Sequence, residues 1–116
     1  MQPEQKDAAL LWDIKQAAED IIDFVKEMDA HQFESNKVVR YAVERQVLVI
    51  GEAAKNISDT LKDNHPEIPW SAIVGQRNII AHEYSDILVE RIWLLAVEYI
   101  PELLKQIESL IPELPE

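Results

Sequence analysis

An all-α fold, an up-and-down bundle of four main helices with one additional short helix, is what this sequence predicts, and three observations predict it. Apolar residues recur at alternating steps of three and four over long windows, the period of an amphipathic helix. No stretch of useful length alternates as a strand would, and no Asn-Gly or Asp-Gly pair offers a tight hairpin turn. Only two glycines occur in 116 residues. The chain reads as one domain over residues 1–116, with a frayed tail at 111–116 closed by Pro112 and Pro115.

From about Ala8 to Asp29, the residues Leu11, Ile14, Ala18, Ile21, Val25 and Met28 form the apolar seam of a first long helix. His31 and Gln32 mark a connection, and Ser35 or Asn36 can cap the second helix by accepting a bond from a free N–H of its first turn. Val43, Val47, Ile50, Ala54, Ile57 and Leu61 repeat the spacing, so this second helix is expected to reach about Leu61 and to pair antiparallel with the first. Gly51 costs about 1 kcal/mol against alanine inside a helix, and beside Ala53 and Ala54 it indicates a close helix approach. Pro66 and Pro69 stop that helix, and Trp70 and Ser71 open a shorter one anchored by Ile73, Val74, Ile79 and Ile80. Ser85 or Asp86 caps a fourth helix whose buried face is Leu88, Ile92, Leu95 and Tyr99. Pro101 splits the last segment, leaving a final short helix around Leu103, Leu104 and Ile107.

The formal net charge is −11, an unusual balance for a protein that binds nucleic acid, because phosphate contacts supply most non-specific affinity. The acid is unevenly placed. Residues 1–34 hold 3 basic and 9 acidic side chains, residues 35–84 hold 6 and 6, and residues 85–116 hold 2 and 7. The neutral middle carries Lys37, Arg40, Arg45, Lys55, Lys62 and Arg77, enough for a locally positive groove. No cysteine is present, which excludes disulfides and thiolate metal sites. No apolar run approaches the roughly 20 residues of a membrane span, so a cytoplasmic protein with no membrane partner is expected.

The candidate site is Gly75-Gln76-Arg77-Asn78-Ile79-Ile80-Ala81-His82-Glu83-Tyr84, where a fixed cation, an imidazole and a phenol are crowded together. Arginine is a permanent planar cation suited to phosphate oxygens, and histidine exchanges protons near neutrality. On a regular helix the step from Arg77 to His82 turns roughly 140°, so the two leave from different faces, while Asn78 and His82 lie one turn apart on a shared face. A helix ending near His82, or a two-fold axis that sets one chain's Arg77 beside the other's His82, would join them. Neither His31 nor His65 has a carboxylate at zinc-ligand spacing, and no metal or cofactor is expected. Glu44 with Arg45, and Glu52 with Lys55, read as opposite-charge pairs on the second helix. Trp12, Trp70 and Trp93 are too scattered for a base-stacking platform and read as packing residues.

Val43-Glu44-Arg45, Ile50-Gly51-Glu52-Ala53-Ala54-Lys55, Pro66-Glu67-Ile68-Pro69-Trp70 and the segment from Gly75 to Tyr84 resemble, in order and spacing, the HepT-like branch of the HEPN superfamily. The family's Arg-x4-His-x-Tyr pattern is met by Arg77, His82 and Tyr84. The resemblance implies a HEPN-like fold and a metal-independent endoribonuclease that is the toxin of a toxin–antitoxin pair, while the angular separation of Arg77 from His82 argues for a dimer. It implies RNA as substrate, with no DNA expected, and a cognate nucleotidyltransferase antitoxin of the MntA kind that transfers AMP to Tyr84. In that scheme His82 is the base for a ribose 2′-hydroxyl and Arg77 stabilises the phosphate; from its spacing alone Asn78 either supports them, by orienting the imidazole or donating to the phosphate, or bonds a backbone carbonyl. The competing expectation is a catalytically silent dimeric module that binds the nucleotidyltransferase or a nucleotide, consistent with the acidic surface.

Overall fold

A computed structural model describes the backbone of residues 3–82 and 86–111 and the side chains of residues 5–76 and 89–111. All its regular elements are helical, with no strand among the described residues. In chain order come α1 (Pro3–Val25), α2 (Ala30–Ser35), α3 (Lys37–Asn56), α4 (Asp59–Asn64), α5 (Trp70–His82), α6 (Asp86–Leu94), a π-helical turn (Leu95–Tyr99) and α7 (Ile100–Leu110). Four long helical limbs, α1, α3, α5 and the α6–α7 run, make the bundle.

The two predicted seams meet in its centre. Leu11, Ile14, Ala18 and Ile21 of α1 and Val43, Val47, Ile50 and Ala54 of α3 are all buried. Each Leu, Ile or Val side chain so withdrawn from water contributes about 1.5–3 kcal/mol. Two polar ties set the antiparallel register of the pair. Gln46 Nε2 donates to Asp20 Oδ2 at 3.1 Å, and near the start of α1 Asp7 accepts from the backbone N–H of Ser58 at 2.9 Å and from its hydroxyl at 2.6 Å. Buried Ile92, Leu95, Ala96, Ile100, Leu103 and Ile107 bring the α6–α7 limb onto this core, and α5 packs on the other flank of α3.

The structure corrects several element boundaries. The first helix starts before Ala8 and ends at Val25, because Asp29 leaves it to cap α2. Asp29 Oδ1 accepts from Gln32 N at 2.8 Å while Gln32 Oε1 accepts from Asp29 N at 2.9 Å, a reciprocal capping box. The expected connection at His31 and Gln32 is thus a short helix, and it delivers Phe33, fully buried, against Trp93 with ring centroids 5.3 Å apart. Asn36 caps α3 as expected, its side chain accepting from Val39 N at 3.0 Å.

The second helix does not reach Leu61. It ends at Asn56, Ile57 is extended, and Ser58 caps the separate α4 by accepting from Leu61 N at 3.2 Å. The cause lies 51 residues away, where the buried Asp7 carboxylate captures both polar groups of Ser58 and fixes it outside a helix. Ile57 is nevertheless buried and Leu61 half-buried, so the apolar seam runs across the break.

Pro101 opens a new helix in the last limb, as expected, although the helical run is not interrupted. The π-helical turn precedes it, with Ile100 N–H bonded back to Leu95 O, and Pro101 sits in the first turn of α7. The wider turn accommodates a residue that lacks an N–H and whose ring would clash with the carbonyl four positions back. It also moves the register. Tyr99, expected on the buried face, is 64% exposed, and Ala96 and Ile100 take that place. The final helix around Leu103, Leu104 and Ile107 is α7, and two further short helices, α2 and α4, are not among the expected elements.

Candidate active-site helix

α5 begins at a corner built by the two prolines. His65 closes α4, Ile68 N donates to His65 O at 3.2 Å, and Trp70 N donates to Ile68 O at 2.9 Å. The indole of Trp70, 8% exposed, folds back so that its Nε1 also donates to His65 O at 3.1 Å. Gln106 Nε2 of α7 reaches the carbonyl of Glu67 at 3.3 Å, tying the last limb to this corner. His65 Nδ1 stands 3.1 Å from Glu67 Oε1. A hydrogen bond from its own backbone, helped by His65, holds the Glu67 carboxyl below its ordinary value. Helix α5 is thus fixed at its start by a buried aromatic ring and a short bonded turn.

Arg77, Asn78 and His82 all lie within α5. Their side chains, those of Ile79 and Ile80, and the whole of Tyr84 and Ser85 fall outside the described residues. The turns before them establish which side of the helix faces the bundle. Trp70 is buried and Ile73 and Val74 are half-buried, whereas Ser71 and Ala72 are exposed. Arg77 comes seven residues after Trp70, four after Ile73 and three after Val74, so its register position continues the bundle-facing line. His82 and Asn78 follow Ser71 at eleven and seven residues, on the outward line. By register Arg77 and His82 lie on different lines of α5, whose last residue is His82.

A cleft of about 490 Å³ opens along the flank of α5, lined by Ile50, Ala72, Ile73, Gln76, Leu95 and Leu103, with Glu67 and Glu102 among its polar groups. Apolar walls and carboxylates do not suit a phosphate. Among the described residues no three acidic or histidine side chains are gathered as a metal site, and no helix is long and apolar enough to cross a membrane.

The basic side chains of the middle segment are strung out, with Lys37, Arg40, Arg45 and Lys55 along α3 and Lys62 on α4. Glu44 lies under the influence of Arg40 one turn earlier. Burial raises its carboxyl above the ordinary value, and Arg40 opposes that rise. Trp12 is half-exposed, with Lys15 Nζ 4.8 Å from its ring centre, and belongs to the surface.

Residues 14–110 match the family model described as ribonuclease HepT-like. The chain belongs to the ribonuclease HepT-like family. The Methanocaldococcus jannaschii protein named "Putative RNase MJ1380" is 39% identical over 100 residues, covering 86% of this chain and 92% of the relative. Another from that organism, "Putative RNase MJ0125", is 38% identical over 114 residues, 98% of each. "Probable ribonuclease HepT" of Thermococcus cleftensis is 38% identical over 100 residues, covering 86% and 91%. No solved structure matches the chain significantly. Family membership makes the protein a ribonuclease, and the all-α architecture agrees with the HEPN-like fold expected from the sequence.

Proposed function

We propose that the protein is a metal-independent endoribonuclease that cleaves RNA by internal attack of a ribose 2′-hydroxyl. His82 removes the hydroxyl proton, and Arg77 stabilises the charge that develops on the phosphate oxygens. General bases of this kind contribute about 10²–10⁴-fold, and an arginine aimed at the developing charge acts selectively on the transition state. Asn78, one turn before His82, orients the imidazole or donates to the phosphate. The observation that carries this reading is the placement of all three residues on one helix fixed to the core at Trp70.

Because the register separates Arg77 from His82, the working site is formed by a homodimer in which two copies of α5 lie near the two-fold axis. The physiological role is that of a toxin. A cognate nucleotidyltransferase acts as antitoxin by transferring AMP from ATP to the Tyr84 hydroxyl, with release of pyrophosphate. The phosphate so attached competes with RNA for Arg77.

Incubation of the pure protein with labelled RNA in EDTA tests the chemistry. Cleavage that leaves cyclic-phosphate ends is expected, and intact RNA would favour the silent binding module. Intact-mass spectrometry after treatment with the nucleotidyltransferase, ATP and Mg²⁺ tests the control. Adenylate is expected on the parent protein and not on Tyr84→Phe.

A further inference from the structure

Helix α5 carries residues before the motif that the chemistry above does not use. Gly75 lies in its interior, where glycine costs stability relative to alanine. A Cβ placed there would meet no atom within 4 Å, so packing among the described residues does not demand a glycine. Ser71, Gly75, Asn78 and His82 fall within about 60° of one another around the helix, one line of small and polar positions ending at His82. At its near end the line is open, since Ser71 and the adjacent Ala72 are exposed. Its charge is unusual for this protein. Although the chain holds 22 Asp and Glu, none occurs between Glu67 and Glu83, the longest interval without one.

We propose that this outward line of α5 is the track on which the RNA sugar-phosphate backbone approaches, with Gly75 the point of closest approach. The proposal rests on the reading of His82 as the cutting group and adds where the strand runs toward it. From Ser71 to His82 the track is about 16 Å long at roughly 1.5 Å per residue, enough for a strand to touch the helix at more than one phosphate. A missing side chain lets a backbone come near the helix, and an interval free of carboxylates avoids repelling phosphates from an otherwise acidic protein.

The test measures the Kd of the whole protein for a fluorescent single-stranded RNA at low salt in EDTA, with melting and light scattering on each variant. Gly75→Leu is expected to melt no lower than the parent and keep its oligomeric state, yet to bind RNA at least tenfold more weakly. Ser71→Glu is expected to weaken binding similarly, while the same charge at exposed Thr60, in Thr60→Glu, leaves Kd within twofold. Parent-like binding by a folded Gly75→Leu would overturn the proposal, as would equal losses from Ser71→Glu and Thr60→Glu. An altered oligomeric state in Gly75→Leu would also overturn it, because the glycine would then serve a second copy of the chain. If the track variants lose binding while the parent binds RNA without cutting it, the track stands and the catalytic reading of His82 falls.

Discussion

The α1–α3 pair and helix α5 differ in what their residues are committed to. In the pair, apolar side chains are buried on both helices, and polar groups such as Asp7 and Ser58 are joined to each other. Helix α5 is held at its start by Trp70 and the bonded turn before it and packs along α3, and it carries a glycine that packing among the described residues does not require. One region is specified for stability. The other carries a glycine in its interior, and under the proposed function it is the helix that meets RNA.

A cavity opened in the pair should do the most damage. Ile14, 1% exposed, should cost about 2–5 kcal/mol when replaced by alanine. Ile14→Ala is therefore expected to melt much lower while the folded fraction cleaves RNA at the parent rate; normal melting would remove Ile14 from the core. On α5 the pattern inverts. Arg77→Lys keeps the charge but loses the planar fork, so melting should stay put and RNA should still bind, while cleavage falls by roughly 10²–10³-fold. A collapsed melting transition would return Arg77 to a structural role.

Asp7→Ala should have a smaller effect. It strips Ser58 of both partners and leaves a part-buried N–H unsatisfied, at about 1–3 kcal/mol, read as a lower urea midpoint. An unchanged midpoint would mean that the Ile57 break forms without Asp7. Smallest is the effect of Glu67, whose carboxyl is held below its ordinary value in the folded protein. Its contribution is present above the unfolded carboxylate pKa and is lost as pH falls through the lowered folded one. Glu67→Gln should melt slightly lower than the parent at pH 7, with the gap closing in acid; a gap that widened in acid would mean that folding raises the carboxyl instead of lowering it.

The helical seams were legible because burial of Leu11 to Val25 and of Val43 to Ala54 follows the helical period directly. The break at Ile57 was not, since Ile57 and Leu61 prolong the same period and the reason for stopping is a carboxylate on another helix. Tyr99 was misplaced for a related reason, as a π-helical turn inserts an extra residue that a regular period does not anticipate. In the candidate site, Arg77, Asn78 and His82 were legible as residue types at a spacing. Which of them continues the bundle-facing side of α5 was not, because that depends on the burial of Trp70, Ile73 and Val74 set against exposed Ser71.

That α5 carries the reaction without carrying the fold is tested most directly by His82→Ala, with melting and RNA cleavage in EDTA measured on the same sample. A parent-like melting transition is expected, together with cleavage reduced by about 10²–10⁴-fold, the loss of one general base. Undiminished cleavage by a folded His82→Ala protein would contradict it.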